Sequence, residues 1–274
     1  MNILGISRSE EFSSGCISDD LAIFLSVTGS LEKRGHRVIT ISEQELLSKG
    51  IPEGCDAVFH MVRSEAALGI LEQASIPVVN SVRAVRNCGR AAQTRLLQGT
   101  GLIPESMVCA AGTPPDGWNR FPCWVKRGDI HALTAGDIKY VTSADECAAQ
   151  LAFLAERGIA DCVIQKHVPG WVAKFYGVRG SGVLDCQAAF TESAAFGQEC
   201  YNDTVTSPPV DMRRLTEAVL AASDILGVDV YGGDAVIGRD GAVTIIDFND
   251  WPTFRTCREK ASQAIADLII GRIS

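Results

Sequence analysis

No two cysteines in this 274-residue chain stand at the CxxC spacing, although it carries ten of them. They are scattered from Cys16 to Cys257, and Cys123 in FPCWVK and Cys162 in DCVIQK sit inside apolar runs. They read as reduced thiols that pack as small hydrophobes, not as a disulfide framework. No apolar run approaches the ~20 residues of a membrane helix. The opening MNILGISRS lacks the basic lead and apolar stretch of a secretory leader. A cytoplasmic protein without a membrane partner is expected. An excess of positive charge is missing as well: 25 Lys plus Arg face 33 Asp plus Glu, a formal net charge of -8. That balance excludes a general nucleic-acid binder, which needs a basic face, and leaves any anionic ligand to local cations. There is no GxxxxGK phosphate loop, no serine elbow, no Cys-His motif, no internal repeat and no low-complexity segment.

What is present is a 46% hydrophobic content, enough to fill the cores of one large domain or of two to three small ones around a cleft. Residues 2–7 read as a strand, 19–34 as a helix stopped by Gly35, 37–41 as a strand, and 57–61 and 76–79 as strands flanking a helix at 65–73. That order implies a small open parallel sheet. A short helix at 90–97 and a turn-rich stretch come next. Strands at 123–126 and 138–141, a helix at 144–157 and a strand at 162–165 then form a small α+β module. Strands at 172–178 and 183–189 follow. Asp211 caps a helix that runs to Leu226 before Gly227. The strands 232–238 and 242–248 are joined by RDG as a hairpin, and a helix closes the chain at 257–270.

The hairpin carries the strongest chemical signal. In GGDAVIGRDG and AVTIIDFNDWP, Asp234 lies opposite Asp247, with Asn249 on the face of Asp247. Two carboxylates and an amide oxygen form a hard donor set suited to Mg²⁺. Set in apolar strands, these carboxylates would each cost several kcal/mol if unpaired. Lys126 ends FPCWVK as a strand-borne cation aimed at a cleft, the usual form of a phosphate clamp. The loop RGDIHALTAGD after it holds His131 between Gly128 and Gly136 and reads as a flap over phosphates. VIQKHVPG leaves its strand at a Pro-Gly break, so Gln165, Lys166, His167 and Val168 offer edge backbone to a nucleobase. Lys174 in AKFYGV is a second cation for the cleft.

In this order the residues resemble the ATP-grasp superfamily over almost the whole chain. VVNSVRAVRNCGRAAQTRLLQGTGLIPES, Lys126, the hinge QKHV, Lys174 and the ending IIDFNDWP carry the resemblance. The chain is similar to the carboxylate-amine ligases related to the ribosomal-protein glutamate ligases, and Asp247, Asn249 and His131 are features shared with the inositol phosphate kinases. The resemblance implies an α/β and α+β fold: a parallel-sheet domain at 1–86, a lid at 87–167 and a mixed-sheet C-terminal domain at 168–274. It implies ATP held by Arg90, Lys126, His131 and residues 165–168, Mg²⁺ held by Asp234, Asp247 and Asn249, and Lys174 near the γ-phosphate. Arg90 replaces the lysine of many family ligases, and its fork still pairs with phosphate.

The expected reaction joins a substrate carboxylate to an amine through an acyl phosphate. Transfer of the γ-phosphate to a hydroxyl is the runner-up, and nucleotide binding without turnover is the third reading. Arg8 and Arg63 are the candidates for gripping a small-molecule acceptor that bears a carboxylate or hydroxyl, and Arg255 is a candidate catalytic cation. His60 and Cys257 are lesser candidates. A dimer is compatible with the sequence.

Overall fold

The computed structural model describes residues 1–13, 15–188 and 209–273. The N-terminal segments β1 (Asn2–Ser7), α1 (Ile17–Lys33), β2 (Arg37–Ser42), α2 (Glu43–Lys49), β3 (Ala57–His60), α3 (Glu65–Glu72) and β4 (Val78–Val79) wind into a four-stranded sheet. Its order is β2-β1-β3-β4 and every pairing is parallel. The four central residues of β1 are all buried, because a parallel strand is covered on both faces. Helix α2 goes beyond the sequence expectation. Its seven residues are too few for a periodic signal, but Ser42 and Glu45 cap it reciprocally in a capping box.

The next segments are α4 (Val82–Asn87), α5 (Arg90–Leu97), β5 (Ser106–Ala110), β6 (Cys123–Arg127), β7 (Ile138–Val141), α6 (Ala144–Glu156) and β8 (Asp161–Lys166). Their strands form an antiparallel sheet in the order β5-β8-β6-β7. Leu151 and Leu154 of α6 pack on Val125, Val141 and Ile164, and Cys123, Cys147 and Cys162 fill the same core as free thiols. The cysteines here act as hydrophobes, as expected; Cys200 lies outside the described residues. Strand β5 and helix α4 are the other elements that the sequence reading passed over.

A second antiparallel sheet, in the order β10-β9-β11-β12, is built from β9 (Trp171–Val178), β10 (Gly182–Ala188), β11 (Val230–Ile237) and β12 (Val243–Asp250). All its described pairings are antiparallel, where a mixed sheet was expected. The expected strand at 183–189 is β10, and Ala189 lies outside the described residues. Helix α7 (Met212–Leu226) starts and stops as read: the Asp211 carboxylate accepts the amides of Arg213 and Arg214, and Gly227 closes it at φ 70°. Helix α8 (Arg258–Ile273) returns to pack on α1.

One apolar core ties the outer pieces together. Ile3 and Phe59 of the parallel sheet, Ile23, Val27 and Leu31 of α1, and Ile265 and Ile269 of α8 enclose Trp251 and Phe254 from the end of β12. The carboxyl ends of the parallel strands are thereby held against the end of β12. Inside the last sheet, a Cβ on Gly177 would lie 2.3 Å from the ring of the fully buried Tyr231. Gly177→Ala is therefore expected to cost about 1–3 kcal/mol through overpacking. Thermal unfolding checks this, and an unchanged midpoint would show that the ring has room to move.

Candidate functional site

The β11–β12 hairpin places Asp234 opposite Asp247, and on its other side Asp234 faces Lys174 of β9. Lys174 Nζ lies 3.2 Å from Asp234 Oδ1, and Asn249 donates to Asp247 at 3.1 Å. The two glycines before Asp234 are required by close approach: a Cβ on Gly233 would lie 2.2 Å from the carbonyl oxygen of Asp247. Asp234 draws the Lys174 pKa upward. Burial pushes the Asp247 carboxyl up, but Arg90 and Lys126 pull it down further, and it ends below the usual carboxylate range.

Lys126 enters from the facing sheet. It is 3% exposed, and its Nζ donates to Gln165 Oε1 at 2.8 Å and to the Ile246 carbonyl on β12 at 2.9 Å. It thus bridges the two antiparallel sheets. Burial, helped by Arg90, lowers its pKa to about 8 against the opposing pull of Asp247 and Asp234. The side chain of Gln165 anchors this lysine. Arg90 opens α5, with Nε 3.4 Å from Asp247 Oδ1 and Nη1 3.3 Å from the Ile130 carbonyl.

Arg90, Lys174, Asp234, Asp247 and Asn249 border a cavity of about 270 Å³ whose far end is formed by the parallel sheet. Arg8, after β1, uses Nη1 on both oxygens of Asp20 (3.2 and 3.0 Å), Nε on the Met61 carbonyl and Nη2 on the Trp251 carbonyl. Arg63, after β3, holds the buried Asp250 through its carboxylate and its carbonyl. The cavity lining therefore contains four matched charge pairs: Arg8–Asp20, Arg63–Asp250, Arg90–Asp247 and Lys174–Asp234. Asp20 and Asp250 were not singled out from the sequence. Asp20 was legible, because it lies one helical turn before the buried Phe24 on the inward stripe of α1.

His131 lines the cavity, but burial and the guanidinium groups of Arg63, Arg8 and Arg90 lower its pKa to about 3. At neutral pH it is therefore an uncharged hydrogen-bonding group in the cavity wall. The loop itself is anchored at both ends. Gly128 donates to the Asp161 carbonyl at 2.8 Å and accepts from Ala91 at 2.7 Å. Asp137 accepts from Leu133, Thr134, Arg127 and Arg157.

At the other end of the cleft, Gln165, Lys166, His167 and Val168 line a second space together with Trp124, Lys126 and Ile246. Its volume is about 20 Å³, room for a single water. The Trp124 indole donates to His167 Nδ1 at 3.1 Å, which leaves the proton of the neutral ring on Nε2. Arg255 is not brought into the cavity. Half exposed, its Nε binds Asp19 at 3.0 Å, beside Arg258 on the same carboxylate. His60 is buried between the Asn80 carbonyl and the Val62 amide, with its pKa lowered to about 4 by that burial. Burial raises the Cys257 thiol to about 11.

Among the described residues no group of three His, Cys, Asp or Glu side chains could hold a metal. A metal here would rest on two carboxylates and one amide oxygen. That set fits Mg²⁺, which takes few protein oxygens and completes its shell with water and phosphates, and it would not fit a softer ion. No helix among the described residues is long and apolar enough to cross a membrane.

No protein-family model matches the sequence, and no curated protein matches it. Solved structures do. The D-alanine–D-alanine ligase of Bacillus anthracis, solved with ATP, superposes at a TM-score of 0.72 and 17% identity, covering 100% of this chain and 97% of that one. The VanG D-Ala:D-Ser ligase of Enterococcus faecalis gives 0.73 at 16%, covering 100% and 99%. A RimK-domain ATP-grasp protein of Sphaerobacter thermophilus gives 0.65 at 18%, covering 99% and 100%. Over its described residues the chain has the ATP-grasp fold.

Proposed function

We propose that the chain is an ATP-dependent carboxylate-amine ligase working in the cleft between the two antiparallel sheets. The observation that carries this reading is the convergence of Lys126, Arg90 and Lys174 on the cross-strand carboxylates Asp234 and Asp247. In this reading residues 1–86, 87–167 and 168–274 form the acceptor domain, the lid and the metal-bearing domain. Lys126 and Arg90 grip the nucleotide phosphates and Lys174 meets the γ-phosphate. The backbone of Gln165 to Val168 frames the base, and Asp234, Asp247 and Asn249 hold Mg²⁺. The ion would supply charge neutralisation for phosphoryl transfer. An acceptor carboxylate oxygen bonds to the γ-phosphorus and ADP leaves with the bridging oxygen. An amine then bonds to the acyl carbon and inorganic phosphate departs. Charge neutralisation and positioning carry such a transfer, so no nucleophilic side chain is required.

The matched charges favour ligation over a kinase acting on a polyphosphorylated alcohol. Such an acceptor needs unpaired cations, whereas Arg8 and Arg63 are each committed to a carboxylate. A zwitterionic or singly charged acceptor suits that end better. The D-Ala and D-Ser substrates in the names of similar structures are of that kind.

Purified protein given ATP, Mg²⁺ and a panel of amino acids is expected to release ADP and phosphate in equal amounts, each dependent on acceptor. ADP release without phosphate would establish a kinase instead. The base space must also open to admit a nucleotide, because it holds only about 20 Å³. ATP with Mg²⁺ is expected to protect the amides of residues 130–132 from hydrogen exchange, while adenosine is not, since it brings no phosphate to Lys126. Equal protection by both would remove this loop from the site.

A further inference from the structure

Three neighbouring strand ends of the parallel sheet meet on one carboxylate. Glu43 opens α2 directly after β2 and is 2% exposed. Its Oε2 accepts the Ser9 amide at 3.3 Å and its Oε1 accepts the Ser64 amide at 2.9 Å. Ser9 follows β1 and Ser64 follows β3, so the strand order β2-β1-β3 sets these two loops side by side with Glu43 at their flank. The Met61 amide still donates to the Ile6 carbonyl at 3.0 Å, and Glu43 joins the two chains again three residues further along each.

The clamped amides stand next to the two arginines of the cavity. Arg8 precedes Ser9, and Arg63 precedes Ser64. Both guanidinium groups reach the segment after Asn249: Arg8 Nη2 donates to the Trp251 carbonyl at 2.9 Å, and Arg63 holds the carboxylate and carbonyl of Asp250. Ser9 also begins the loop that brings Phe12 and Ser13 to the cavity wall, where the Ser13 hydroxyl donates to Asp20 at 2.7 Å beside Arg8. Filling space at position 43 asks for no charge, and a buried carboxylate costs several kcal/mol when it lacks partners. The two charge-assisted bonds offset that cost, and they form only when both loops keep one conformation. A carboxylate that accepts on both oxygens fixes the distance between the two amides, which an apolar side chain packed there would not do.

We propose that Glu43 is the positioning residue of the acceptor end: it sets the separation of Arg8 and Arg63, and through them the affinity for the acceptor, on the reading of the cleft as a ligase site. It touches neither nucleotide nor acceptor. Lys126, Arg90, Lys174 and the hairpin carboxylates are placed by other elements, so the effect of Glu43 falls on acceptor binding and spares the phosphate end.

Steady-state ligation tests this, with the protein amino acids, D-alanine and D-serine offered as acceptors and phosphate release as the readout. Glu43→Gln keeps the volume but loses one of the two bonds, because the amide nitrogen that replaces an oxygen cannot accept. The KM of the best acceptor is expected to rise at least tenfold, with kcat and the Kd of a non-hydrolysable ATP analogue within about twofold of wild type, the signature of lost ground-state binding. Glu45→Ala controls for general loosening of the same helix. It removes the cap bond to the Ser42 amide and is expected to lower the thermal midpoint without moving that KM. Should Glu43→Gln fail to fold, Ser9→Pro takes its place: Ser9 sits at φ -67°, which proline adopts, and the change deletes the N–H that Glu43 holds. A folded variant with the wild-type KM, or an equal rise in Glu45→Ala, would overturn the positioning role and leave the ligase reading intact. A wild type without acceptor-dependent phosphate release would overturn both.

Discussion

Asp247→Asn is expected to cut magnesium-dependent ATP turnover by at least about 100-fold, the scale on which removing one preorganised charge from a phosphoryl-transfer site acts. The substitution takes a negative charge from the Asp234–Asp247 pair and almost no volume. The asparagine oxygen still faces Arg90, which also keeps its bond to the Ile130 carbonyl. The protein should therefore stay folded. Asp247→Ala is the harsher variant, because it strands the buried Arg90 and is expected to cost about 3–5 kcal/mol of stability. Turnover by Asp247→Asn at the wild-type rate would remove this residue from the metal site.

Lys126→Ala is expected to weaken nucleotide binding by about 1.5–3 kcal/mol, on the order of 10- to 100-fold in Kd. Thermal stability should change much less. The lost bonds to Gln165 and Ile246 are offset by removal of a desolvated ammonium, whose pKa of about 8 reports the strain of its burial. That value also sets a pH dependence. Phosphates bind the charged lysine, so nucleotide affinity is full below about pH 8 and falls above it, by up to tenfold per pH unit. Folding responds in the opposite sense. Between about 8 and the ordinary 10.5 the unfolded chain holds this proton more tightly than the folded one. Lys126 therefore costs stability below that window, and the cost is relieved as pH rises through it. Calorimetric titration of an ATP analogue at pH 7 and pH 9 checks the binding side, and in Lys126→Ala the pH dependence should vanish.

The parts of the site that were legible in the sequence are those whose geometry is local. The RDG turn joins β11 and β12 and sets their pairing from Ile237↔Val243 to Ala235↔Ile245, and a one-residue register shift at Asp234 then puts it across from Asp247. Asp211 and Gly227 bound α7 through caps that act within one turn. What was missed or misplaced depends on distant chain. Nothing near Arg255 announces that Asp19 on α1 will hold it outside the cavity, and nothing near Arg63 announces that it will bind Asp250. Nothing near His131 announces that burial and three arginines from different segments will keep it neutral. The short helices α2 and α4 give no periodic signal, since their stability comes from caps and packing.

The central claim is that one cleft binds nucleotide and magnesium together through Lys126 on one sheet and Asp234, Asp247 and Asn249 on the other. Isothermal titration of the wild type with a non-hydrolysable ATP analogue, with and without Mg²⁺, tests it most directly, using Asp234→Asn and Asp247→Asn as controls. The analogue is expected to bind at one site, with Mg²⁺ tightening it at least tenfold in the wild type and not in either variant. Binding that ignores Mg²⁺ in the wild type, or no binding of the analogue at all, would contradict it.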